Sequence, residues 1–151
     1  MNTNSYLCRF LAENPEHWES LLTKEHGIKV KREGSFTIFN YGFGCDYADP
    51  MGQEARGIIL DTEKLEVACW PFRKFGNHNE SYADSIDWTS ARVQEKVDGS
   101  IIKLWYDKRK PGWQFSTNAT LRAENASVGE FSRISFYDLI CRAENFEDIP
   151  F

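Results

Sequence analysis

The chain has no run of about 18 consecutive apolar residues, so its length patterning excludes a membrane-spanning helix. Met1 to Phe10 places Arg9 after its apolar residues and offers no apolar core followed by a small-residue cleavage site, so no secretory leader is expected. The expected location is therefore cytoplasmic. Without secretion the sequon-like Asn79-Glu80-Ser81, Asn118-Ala119-Thr120 and Asn125-Ala126-Ser127 carry no expectation of sugar. Cysteine is scattered: Cys8, Cys45, Cys69 and Cys141 never form the C-x-x-C spacing of zinc or redox sites, which leaves free buried thiols as the expectation. His17, His26 and His78 do not cluster, so no metal cage is implied. Basic charge is also in deficit. With 18 Lys and Arg against 23 Asp and Glu, the net charge is −5, and a small basic module that holds nucleic acid by neutralising many phosphates is excluded. Any polyanion site must be local. Repeats, low-complexity tracts and linkers are missing as well, and no stable protein partner is inferred.

What is present is the apolar supply of one ordinary domain: 151 residues, 41% hydrophobic and 15% aromatic. Asn14-Pro15-Glu16 ahead of Trp18, Leu21 and Leu22 reads as an N-cap, a first-turn proline and an apolar face, ending at Gly27. Ile28 to Arg32 then alternates, Gly34 can turn, and Phe36 to Tyr41 is rich in strand formers, which predicts a hairpin. Gly42 to Gln53 holds three glycines, a proline and two aspartates and reads as a loop near a site. Arg56 to Leu60 and Leu65 to Trp70 predict a second hairpin about Asp61 to Lys64. After an irregular stretch from Phe72 to about Trp88, strands are expected at Arg92 to Val97 and Ile101 to Tyr106 around Asp98-Gly99. A further strand, Trp113 to Thr117, follows the turn at Lys110-Pro111-Gly112. Phe131, Ile134, Tyr137, Leu139, Ile140 and Cys141 recur at helical spacing and predict a helix over Glu130 to Arg142. The fold class is α+β, a mostly antiparallel sheet with flanking helices.

Chemistry concentrates in Glu95-Lys96-Val97-Asp98-Gly99-Ser100. A lysine attacks phosphorus only as a neutral amine, so a nucleophilic one needs burial or nearby cations, and a strand end inside a pocket could supply both. Gly99 lets backbone approach a ligand closely. Taken alone, the same residues also read as a plain Asp-Gly turn with a solvated Lys96. The other motifs decide between the two readings.

Lys96-Val97-Asp98-Gly99-Ser100 resembles the K-x-D-G nucleophile motif of the covalent nucleotidyltransferases, which include RNA ligases, DNA ligases and mRNA capping enzymes. The upstream pieces are similar to the phage RNA ligase 1 type, in which an arginine-glycine strand and an F-x-K-F segment precede the lysine. Here they read Glu54-Ala55-Arg56-Gly57-Ile58-Ile59-Leu60 and Phe72-Arg73-Lys74-Phe75-Gly76-Asn77-His78-Asn79-Glu80, in that order. The resemblance runs from about Ile28 to Thr120, and three ordered motifs are far more specific than one. It implies part of an adenylation domain with ATP and magnesium as cofactors. Lys96 would attack the α-phosphorus of ATP, AMP would pass to an RNA 5′-phosphate, and a 3′-hydroxyl would seal the strand, so RNA ends are the expected partners. Around the nucleotide it assigns Arg56, Lys74 and Tyr41 to the phosphates and Phe75 to the pocket wall. Glu95 falls to adenine recognition, and Asp98 and Gly99 to the nucleotide.

Two departures stand out. Related ligases often carry a lysine after a Ser-Thr pair, where this chain reads Ser116-Thr117-Asn118. The family's later motifs, an F-E segment, a metal-binding glutamate and a K-x-K pair, are not met by Phe151; Asn145-Phe146-Glu147 matches the F-E segment only superficially. The expectation is an N-terminal portion of the domain that binds ATP weakly and seals no RNA by itself. Two other readings stay open: another K-x-D-G nucleotidyltransferase, and a nucleotide- or RNA-binding module without turnover.

Overall fold

A computed structural model describes residues 5–129 and 133–143. Helix α1, Tyr6–Glu13, comes first. Ser5 caps it, its hydroxyl accepting from the Cys8 amide at 3.1 Å. Asn14 closes α1 rather than opening the next helix, because its side-chain amide and backbone N–H both donate to the Phe10 carbonyl, at 2.9 and 3.0 Å. Pro15 then begins a turn, and α2, Trp18–Lys24, starts three residues later than the Asn14 signal implied. The reason is competition for Asn14, whose short amide caps a helix end as readily as a start.

Four antiparallel strands follow in the order β1 (Ile28–Glu33), β2 (Phe36–Tyr41), β3 (Arg56–Asp61) and β4 (Glu66–Cys69). Both expected hairpins form. The loop between β2 and β3 contains a short helix, α3 (Pro50–Glu54), which sequence composition hid. Asp49 caps it, accepting from the Met51 amide at 2.9 Å, with Pro50 in the first turn. A second, two-stranded sheet pairs β5 (Ile102–Asp107) with β6 (Gly112–Thr117). The last helix, α4 (Phe136–Arg142), begins at a Ser135–Asp138 capping box. It is shorter than the expected Glu130 to Arg142, of which residues 130–132 lie outside the described residues, as does Asn145-Phe146-Glu147.

Three layers result. One face of the four-stranded sheet packs Phe39, Ile58 and Leu60 onto Leu7, Leu11, Trp18 and Leu22 of the helices. The other face packs Phe36, Ile38 and Ile59 onto Trp105 of the β5–β6 hairpin and onto Leu121. Burial on both faces explains the unbroken apolar run Ile58-Ile59-Leu60 in β3. Two arginines tie the layers. Arg109 donates to Asp61 at 2.6 Å and lies over the Phe36 ring, while Arg122 bonds Glu33 at 2.8 Å and approaches Asp107 at 3.6 Å.

The expected strand at Arg92 to Val97 is not formed. Residues 92–101 are irregular and exposed, with Val93 and Val97 in solvent. A strand exists only where a neighbour pairs with it, and β5 is paired with β6 instead. Asp98-Gly99 is therefore no hairpin turn. The cysteines are all free, but only Cys8 and Cys69 are buried and Cys141 is exposed. Among the described residues no helix is long and apolar enough to cross a membrane.

Candidate functional site

The gap between the two sheets opens at the start of β3 into a cleft. One part, about 280 Å³, is bounded by Arg56, Cys69, Trp70, Phe72, Lys103 and Asn118. An adjoining part, about 400 Å³, shares Arg56, Ile101 and Asn118 and adds Gly99, Ser100 and the loop Thr117 to Thr120. Among the described residues no Asp or Glu borders either part.

Arg56 stands where α3 hands over to β3, its guanidinium over the Phe75 ring at 5.3 Å and its Nη1 3.4 Å from the Arg73 carbonyl. The Phe72 to Phe75 segment is fixed to the core by one backbone bond, the Lys74 amide donating to the Gln53 carbonyl at 2.7 Å. Lys74 Nζ then lies over the rings of Tyr47 and Tyr82, at 5.5 and 5.8 Å, and Tyr47 is edge-on to Tyr41 at 5.2 Å. A cation in an aromatic cluster of this kind is held in place with its ammonium still able to meet an anion. Gly57 is required here for two reasons. Its φ is +82°, and an added Cβ would meet Lys103 Nζ at 2.8 Å and Asn118 Cα at 3.0 Å.

The structure thus brings Arg56 and Gly99 to one cleft, with Phe75 under Arg56, and places Tyr41 and Lys74 in a cluster beside it. It does not bring Glu95, Lys96 or Asp98 there. Lys96 is 84% exposed, its Nζ 3.3 Å from the Asp98 carboxylate, and Glu95 is in solvent. The strand-end pocket expected around Lys96 is not present in this conformation.

Lys103 is the residue that sequence reasoning missed. It is 6% exposed, faces Ser116 across the hairpin and donates to the Gly57 carbonyl. Burial pushes its amine down to about 8, partly opposed by the nearby Cys69. Phase alone gave no signal for it: Lys103, Trp105 and Asp107 share one face of β5, and only the structure makes that face the buried one. The more apolar alternate residues Leu104 and Tyr106 pointed the other way and are exposed. At the end of β6 the Thr117 hydroxyl accepts from the Ala119 and Thr120 amides, both at 3.1 Å. This tight turn sets Asn118 into the cleft wall; its Oδ1 and the Ser116 hydroxyl behind it are buried, and neither has a partner among the described residues. Among the described residues no three His, Cys, Asp or Glu side chains gather as a metal site.

Over 135 residues, 80% of its length, the chain is 28% identical to a protein of Autographa californica nuclear polyhedrosis virus named "Putative bifunctional polynucleotide kinase/RNA ligase". Over 123 residues, 76% of its length, it is 28% identical to "Uncharacterized protein ORF64" of Ostreid herpesvirus 1 (isolate France). It spans 19% of the first relative and 30% of the second. No family model and no solved structure matches it.

Proposed function

We propose that this chain is the nucleotide-binding portion of an RNA ligase adenylation domain, with ATP as its substrate and Lys96 as the nucleophile. The observation that carries the reading is the convergence of Arg56 and Gly99, from two separate motifs, on one cleft that no described Asp or Glu borders. Similarity to a viral protein named for RNA ligase supports it. In the reaction the Lys96 amine, freed of its proton, forms a bond to the α-phosphorus of ATP as the bond to pyrophosphate breaks. AMP then passes to an RNA 5′-phosphate, and an RNA 3′-hydroxyl displaces it. Arg56 suits the phosphates because a planar guanidinium binds two oxygens at once. Lys96 meets solvent and Asp98 rather than the cleft, so attack requires residues 92–98 to fold inward about Gly99, which already lines it.

The test is the mass of the intact chain after incubation with ATP and magnesium. A gain of one AMP is expected, lost in Lys96→Ala, and lost also in Lys96→Arg, whose guanidinium stays protonated. An adduct that persists in Lys96→Ala would falsify the assignment. The exposure of Lys96 favours a second reading, a nucleotide-binding module without turnover; it predicts ATP binding with no adduct in any variant. Labelling with ATP against GTP separates ligase from capping chemistry.

A further inference from the structure

Nothing in the reaction of Lys96 uses Lys103, yet Lys103 is the more unusual lysine. Its amine is buried, and among the described residues no carboxylate pairs with it; its hydrogen bond runs to the neutral carbonyl of Gly57. A cation taken from water without an opposite charge is strongly unfavourable unless something offsets it. Cys69 opposes that cost only in part, and burial pushes its own thiol up. Arg56, a second cation, borders the same part of the cleft, and among the described residues no acidic one does. In a chain of net charge −5, two cations around such a cleft mark a local site for an anion. Neutral polar groups lie close to Lys103 as well. Ser116, directly opposite Lys103 in the hairpin register, has a buried hydroxyl with no partner among the described residues. Asn118 is half-buried with its Oδ1 buried, and its amide, if reversed, presents Nδ2–H at the place now held by Oδ1. Gly57 lets the β3 backbone pack directly against Lys103 Nζ and Asn118, where any Cβ would collide with both.

From these observations we propose that Lys103, with Ser116, Asn118 and Arg56 around it, forms a phosphate-binding subsite in the cleft between the two sheets. The subsite belongs to the cleft of the proposed ligase reaction and rests on that reading only for what carries the phosphate. Position 118 lacks a lysine, and Lys103 places an ammonium against the same loop from the neighbouring strand.

The experiment is competitive acylation of lysines at pH 8, read residue by residue by mass spectrometry, with inorganic pyrophosphate, ATP, or RNA oligonucleotides bearing a 5′-phosphate or a 5′-hydroxyl. Pyrophosphate is expected to protect Lys103 severalfold. Lys103→Met should keep the fold by circular dichroism and lose about tenfold in pyrophosphate affinity, the loss typical of a charge-assisted hydrogen bond. If Lys103→Met fails to fold, Ser116→Ala serves in its place, with an expected loss of about threefold. Protection by ATP but not by 5′-phosphorylated RNA assigns the nucleotide's phosphates; protection only by the 5′-phosphorylated RNA assigns the strand end. Unchanged Lys103 reactivity with every phosphate, together with undiminished pyrophosphate affinity in the variant, overturns the proposal and leaves Lys103 as a tie between sheets. An AMP adduct on Lys96 without protection of Lys103 defeats this proposal alone, and protection without an adduct defeats the ligase reading alone.

Discussion

Among single residues, the contrast between Lys96 and Lys103 shows what position does to an amine. The two lie seven positions apart in sequence, one in solvent and one in the core. For Lys103 the folded chain favours the neutral form, because burial lowers its pKa from 10.5 to about 8. Below about 8 both folded and unfolded chains hold the proton, so the burial cost is constant. Between about 8 and 10.5 only the unfolded chain holds it, so Lys103 makes stability rise with pH through that window. Urea unfolding at pH 7.5 and pH 10 should show this rise, about 2 kcal/mol on the linkage relation, as a difference between the parent and Lys103→Met. An identical pH response in the two chains would mean that Lys103 is not desolvated. Arg56 and Lys74 differ in another way: Arg56 borders the cleft, whereas Lys74 sits among tyrosines beside it. Arg56→Ala is expected to weaken ATP binding about tenfold, and Lys74→Ala less, followed by the fluorescence of Trp70 in the cleft wall. Equal and negligible effects would make both cations mere surface charges.

The helices and strands each depend on a few contacts that sequence distance conceals. Helix α1 is anchored by Glu54, 49 residues away from its Ser5 cap. The buried Glu54 carboxylate accepts from the Ser5 hydroxyl at 3.1 Å and the Leu7 amide at 2.8 Å, satisfying donors that no helix can satisfy internally. Burial nevertheless outweighs those bonds and raises its pKa. Glu54→Ala should therefore cost about 2 kcal/mol, the usual result of orphaning buried donors, and free the α1 amides to exchange. Hydrogen exchange reads this directly; protection of α1 equal to the parent would show that its cap alone suffices. In sequence Glu54 reads as the first residue of the Arg56-Gly57 motif, and its structural partner could not be seen. The β5–β6 hairpin presents a related case. Its pairing was readable from the turn at Lys110 to Gly112, but its buried face was not, because Ile102, Leu104 and Tyr106 look like the inward set.

Across the whole molecule, the cleft exists because the hairpin is held against the four-stranded sheet at a distance. Asp61 is central to that arrangement: it is buried, accepts from both Nε and Nη2 of Arg109, and also caps the β3–β4 turn by accepting from Glu63 and Lys64 amides at 3.2 and 3.1 Å. Asp61→Ala should lower the urea midpoint by the equivalent of about 2 kcal/mol, less than a fully buried pair because Arg109 is partly exposed. It should also widen the cleft and weaken ATP binding without touching a residue that lines it. Loss of stability with ATP affinity intact would separate the scaffold from the site.

The sequence by itself determined the α+β class, both hairpins of the main sheet, the irregular path after Phe72 and the order of the Arg56, Lys74 and Lys96 motifs. These follow from period, turn residues and short spacings, which are local properties. Only the tertiary structure decided that Arg92 to Val97 is no strand, that Lys96 stands outside the cleft, and that Lys103 stands inside it. Strand formation needs a partner and burial needs an opposing layer, and both are supplied by residues far away in the chain.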